Sequence, residues 1–94
     1  TALRFEERFF TAFILPGDAW RFAVVTSKSR IGKAVERNRV KRRLRAAFAA
    51  AMKNQLSPLE VVLYAKASVL KADFPDLQTL LSKNFHEVDS RSAG

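Results

Sequence analysis

Nine basic side chains fall within one short stretch of this sequence: Lys28, Arg30, Lys33, Arg37, Arg39, Lys41, Arg42, Arg43 and Arg45. Only Glu36 opposes them, so this stretch holds the whole net charge of +8 carried by the 94 residues. Elsewhere the signs balance. A surface evolved only for solubility intersperses its charges. A concentrated patch suits a polyanion, because neutralising phosphates releases their condensed counterions. Arginine outnumbers lysine five to one between Arg37 and Arg45. Its planar fork binds phosphate oxygens in pairs and stacks on bases, whereas an ammonium acts as a point charge. Asn38, set among these arginines, can reach a phosphate, a 2′-hydroxyl or a base edge.

Other chemistries find little material. There is no cysteine, which excludes a disulfide framework, a thiolate zinc site and a cysteine nucleophile, and fits a reducing compartment. His86 is the sole histidine and reads as an ordinary surface residue. Asp18, Glu36, Glu60, Asp73 and Asp76 are scattered singly and read as caps, turns and surface charges. A metal-dependent nuclease needs clustered carboxylates, so an independent nuclease is the weakest of the functional readings. No apolar run approaches the ~20 residues that span a bilayer. The N-terminus lacks the basic-then-apolar layout of a secretion signal. A cytoplasmic setting is the expectation.

The elements around the patch must position it, and 94 residues supply one small domain with one core. Arg8 to Leu15 reads as a strand rich in aromatic and branched residues, stopped by Pro16-Gly17. Trp20 to Ser27 reads as a second strand, and the short link between them predicts an antiparallel hairpin. Lys28 to Lys33 is a basic loop, with Gly32 available for a turn. From about Ala34 to Asn54 the period becomes helical. Leu59 to Ala65 predicts a third strand with Leu59, Val61, Leu63 and Ala65 on one face. Asp73 resembles an N-cap, with Pro75 in the first turn of a last helix. Phe74, Leu77, Leu81 and Phe85 form that helix's apolar stripe. Residues 88–94 are expected to form a disordered tail after a core spanning about residues 8–86. The fold class is α+β, a two-layer sheet-and-helix sandwich in the order β-β-α-β-α, with one sheet face uncovered.

At about 100° per residue, Val40, Leu44, Ala47 and Phe48 share one face of the first helix, while Asn38, Arg42 and Arg45 stack on the opposite side. Lys41 flanks them, and Arg39 and Arg43 form another edge. Arg39 and Arg43 are like charges four residues apart, which destabilises an isolated helix slightly and suggests a partner that neutralises them. Basic amphipathic helices also serve as solvated faces, membrane-surface helices or docking faces for acidic proteins. Against the membrane version, half of this seam is alanine. Helix-turn-helix DNA binding needs further short helices around the reading helix. Flanking strands point instead to a sheet-and-helix platform of the kind common in RNA binding.

The run from Lys28 to Phe48, KSRIGKAVERNRVKRRLRAAF, resembles the signature of the bacterial ribonuclease P protein family. The matching residues are Arg37-Asn38-Arg39, Lys41-Arg42 and Arg45, preceded by Gly32-Lys33-Ala34-Val35. The resemblance covers roughly residues 8–86. It implies a protein that assists a catalytic RNA subunit in removing the 5′ leader of precursor transfer RNA, with magnesium required by the RNA-containing holoenzyme and no cofactor on the protein alone. Its implied partners are the RNA subunit and precursor transfer RNA, with no membrane and no obligate protein partner. On this reading Lys28, Arg30, Lys33, Arg37, Asn38, Arg39, Lys41, Arg42 and Arg45 bind RNA, and there is no catalytic or metal-ligating side chain. Phe13 takes a strand position where the family places an aromatic facing a leader cleft; a core role for it is the alternative. The family also implies a left-handed crossover, against the usual rule. Only Thr1 to Glu7 precede the first predicted strand, so the family's N-terminal helix is expected to be absent. The link from Arg21 to Gly32 is longer than the family's common pattern, and Ala23 stands near a frequent family glycine. Another small basic RNA-binding protein, ribosomal in type and with no part in transfer-RNA processing, is the competing reading.

Overall fold

The computed structural model describes residues 2–93. Strands β1 (Leu3–Glu6), β2 (Phe10–Pro16) and β3 (Arg21–Val25) precede helix α1 (Ala34–Met52). Strand β4 (Leu59–Ala65), a short 3-10 helix (Ala67–Lys71) and helix α2 (Phe74–Ala93) complete the chain. The strands form one sheet in the order β1-β2-β4-β3. The α+β class and the two layers are as the sequence predicts.

The predicted hairpin is not. The strand beginning near Trp20 does not pair with the one before it, because β4 lies between them. β4 pairs antiparallel with β2, from Phe10 opposite Ala65 to Pro16 opposite Leu59. It pairs parallel with β3, from Arg21 opposite Glu60 to Val25 opposite Tyr64. The reason lies in the side chains. β4 buries Leu59, Val61, Leu63 and Ala65 and half-buries Val62, so it suits a central position. On β3 the outward residues Arg21, Ala23 and Val25 are exposed, which an edge tolerates. A parallel pair requires a crossover, and α1 supplies it.

The hairpin that does form lies one element earlier. β1 pairs antiparallel with β2, setting Leu3 opposite Ile14 and Glu6 opposite Thr11. The Glu7 N–H donates to Phe10 O at 2.8 Å and closes the turn between them. Leu3 and Phe5 lean on the core, while Arg4 and Glu6 face solvent.

Both helices pack on one side of the sheet. Val40, Leu44 and Ala47 of α1 are fully buried, as their spacing predicts. Phe48 joins three elements: its ring stacks on Phe22 of β3 at 4.0 Å and meets the Trp20 ring edge-on at 5.4 Å and that of Phe85 at 6.0 Å. Such pairs add to the large apolar area that aromatic rings bury. The Asp73 carbonyl accepts from the Asp76 and Leu77 N–H groups, which places it at the start of α2. That helix does not stop at residue 86. Val88 continues the stripe of Leu77, Leu81 and Phe85 and is 1% exposed, so residues 88–93 are helical where the sequence predicts a disordered tail; residue 94 lies outside the described residues. Among the described residues, no helix is long and apolar enough to cross a membrane.

Candidate nucleic-acid interface

The rotation of α1 is set by its buried seam, and the seam decides which cations reach solvent. With Val40 and Leu44 held in the core, Asn38, Arg39, Arg42 and Arg45 are exposed and Lys41 is half-buried. Val35, Asn38, Lys41, Arg42 and Arg45 line one shallow basin along the helix. Three ion pairs occur among the described residues: Arg4 with Glu6, Lys66 with Glu6, and Arg91 with Glu87. None involves α1 or the loop before it. The outer face of α1 therefore presents positive charge that no described carboxylate neutralises, together with donors that have no protein acceptor.

Lys28, Arg30 and Lys33 are exposed on the loop that leads into α1. Arg37 behaves differently from its neighbours. It is half-buried, and its Nη1 donates to the carbonyls of Ile31 and Gly32, each at 3.0 Å. Arg43, which the sequence sets on another edge of the helix, turns toward the protein. Its guanidinium donates to Ala72 O beside the start of α2, and its buried Nε has no partner among the described residues.

A second surface lies on the sheet face away from the helices. The register aligns Arg4, Phe13, Val62 and Ala23 in one row across the four strands. Glu6, Thr11, Tyr64 and Val25 form the next. Phe13 is half-buried rather than a core residue, and its ring meets Tyr64 edge-to-face at 5.6 Å. Phe13 and Tyr64 line the floor of a trough of about 480 Å³, with Arg4 and Arg30 among its other lining residues. Aromatic rings flanked by cations are the usual platform for single-stranded nucleic acid. Beside the trough, Glu6 accepts from the Lys66 ammonium and from the Thr11 hydroxyl at 3.0 Å, and these bonds hold its carboxyl below the ordinary value. Lys66 also donates to Glu7 O at 2.6 Å, so this group ties β1 to the end of β4.

The structure thus brings Asn38, Lys41, Arg42 and Arg45 together in one basin on α1, leaves Arg39 exposed on the same helix outside that basin, and places Phe13 and Arg30 on the trough. Tyr64 and Arg4 escaped the sequence reading. Tyr64 could have been found, since it occupies the outward alternate of a strand whose other alternate is wholly apolar. Arg4 could not be placed without β1. Among the described residues, no three His, Cys, Asp or Glu side chains converge as metal ligands.

Comparison with known proteins gives one consistent result. The family model described as Ribonuclease P matches residues 1–89. A ribonuclease P protein component from a Nitratiruptor species is 35% identical over 89 residues, covering 95% of this chain and 80% of that protein. The corresponding component from Coxiella burnetii is 38% identical over 72 residues, covering 77% of this chain and 59% of that one. Among solved structures, the RNase P protein from Thermotoga maritima superposes with a TM-score of 0.70 at 20% identity, over 87% of this chain and 83% of that one. The last likeness speaks to fold alone.

Proposed function

The chain belongs to the ribonuclease P protein family, and from that premise we propose that it acts as an RNA clamp for a catalytic RNA rather than as a nuclease in its own right. The family's work is transfer-RNA processing, and the comparisons do not favour a ribosomal-type module. In the proposed complex, Asn38, Arg39, Lys41, Arg42 and Arg45 bind the RNA subunit, and Lys28 and Lys33 extend the contact along the loop. The trough takes the single-stranded 5′ leader of precursor transfer RNA, with Phe13 and Tyr64 as stacking faces and Arg4 and Arg30 toward the phosphates. Base stacking on such rings is worth ~1–3 kcal/mol each. The work takes place in the cytoplasm.

One observation carries this reading: Arg39, Arg42 and Arg45 on α1 are exposed with Lys41 half-buried beside them, and no carboxylate among the described residues pairs with any of the four. Guanidinium groups left unpaired on a rigid helix are preorganised for phosphates. Among the described residues, no group of three His, Cys, Asp or Glu side chains is placed to hold a metal ion. Magnesium is accordingly assigned to the RNA-containing holoenzyme, and no step is routed through a metal held by the protein.

Reconstitution tests the proposal. Precursor transfer RNA is incubated with a bacterial ribonuclease P RNA at low magnesium, with and without this protein. Stimulated cleavage at the leader junction is the expected result. Absence of stimulation overturns the clamp, and cleavage by the protein alone overturns the assignment of catalysis to RNA.

A further inference from the structure

The turn leading into α1 is anchored at both ends and leaves one arginine free between the anchors. On the upstream side, the Ile31 N–H donates to Ser27 O at 2.9 Å, and the Arg30 N–H lies 3.2 Å from Ser27 O and 3.3 Å from Ser27 Oγ. On the downstream side, Arg37 Nη1 reaches back from the first turn of α1 to Ile31 O and Gly32 O. Ile31, 2% exposed, plugs the turn into the core. Arg30 is exposed and lines the sheet trough, although its own segment continues into the helix that carries the basic face.

We infer that Arg37 is a positioning residue, whose guanidinium clamps the Ile31–Gly32 turn so that Arg30 is held over the sheet trough. The inference rests on the leader-binding reading of that trough. Its physical basis is preorganisation: a turn that forms only part of the time lowers apparent affinity by the fraction of time it is formed. A guanidinium suits the task because one planar nitrogen presents two N–H bonds to adjacent carbonyls. Lysine keeps the charge but presents a compact, strongly hydrated ammonium in place of the planar fork. The clamp also couples the two RNA surfaces, since the residue that grips the turn sits in the helix proposed to dock on the RNA subunit.

The test uses reconstituted holoenzyme with Arg30→Ala, Arg37→Ala, Arg37→Lys and the Arg30→Ala/Arg37→Ala double variant. Affinity is measured for a precursor with a long leader and for mature transfer RNA. Each single variant is expected to weaken binding of the leader-bearing substrate by about 5- to 10-fold. Mature transfer RNA binding stays unchanged, and the double variant falls within about twofold of Arg30→Ala. Full recovery with Arg37→Lys, a loss on mature transfer RNA, or a fully additive double variant overturns the inference, because each marks Arg37 as a direct phosphate contact. If Arg30→Ala leaves leader affinity untouched, the leader reading of the trough fails and takes the inference with it. An additive result with an intact Arg30 effect removes the inference alone.

Discussion

Arg42 and Arg45 lie three residues apart on the outward side of α1, and neither side chain takes part in an ion pair among the described residues. Side chains of this kind bind by displacing counterions, so their contribution shows in the salt dependence of affinity. Replacing either with alanine should weaken binding to the RNA subunit and reduce the slope of log affinity against log salt by about 0.7–0.9. Titrations at several salt concentrations check this, and an unchanged slope removes that residue from the interface. Arg43 gives the opposite expectation within the same helix. Its guanidinium donates to Ala72 O, so Arg43→Ala leaves that buried residue's carbonyl without its partner and should cost roughly 1–2 kcal/mol of folding stability. The salt slope of the folded variant should match the parent, and a lowered slope assigns Arg43 to RNA instead. Sequence spacing separates these two roles only in part. It places Arg43 on a different edge from Arg42 and Arg45, but the acceptor comes from Ala72, 29 residues away. Phe13 shows the same limit: alternation along one strand cannot say which face the helices will cover until the partner strands are known.

Where an element's own period decides its packing, the sequence is a good guide. The seam of α1 and the buried alternates of β4 are both legible for that reason. Pairing is another matter. β1 has four residues with two half-buried apolar ones, too short to register as a strand by alternation. Local signals place the antiparallel hairpin between the wrong strands, because β4 enters the sheet between β2 and β3 from more than thirty residues downstream. A short element needs fixing, and β1 is held in part by Glu6, which accepts from Lys66 and Thr11 and pairs with Arg4 at 2.7 Å. Those bonds favour the ionised carboxylate and lower its pKa in the folded state. A lowered folded pKa adds stability above the unfolded pKa, and this is lost as pH falls through the folded value. Glu6→Gln should therefore melt below the parent near pH 7, with the gap closing as pH drops below its ordinary 4.5. Melting temperatures across that range check the sign, and a gap that widens in acid contradicts it.

At the scale of the whole molecule, the fold keeps its charge on one side of the chain's own balance. The nine cations from Lys28 to Arg45 face one acid, and the rest of the sequence is neutral. Folding gathers much of this charge along α1 and the loop before it, where the groups repel one another more than in an extended chain. The three ion pairs among the described residues lie elsewhere, two on Glu6 and one within α2, so they do not offset this repulsion. Salt should therefore stabilise this protein. Raising ionic strength from ~0.01 M to ~0.1 M shortens the screening length from ~30 Å to ~10 Å and relieves the repulsion along the helix. The melting temperature should rise by a few degrees, at about 4–8 °C per kcal/mol for a domain of this size. A multivalent anion such as pyrophosphate should raise it further at equal ionic strength, because ligand bound only by the folded state adds stability as its concentration exceeds the dissociation constant. The double variant Arg42→Gln/Arg45→Gln should show a smaller rise in both experiments. A melting temperature that is flat or falls with salt means that the cations are already neutralised within the fold, and the reading of α1 as a face held open for phosphate is then lost.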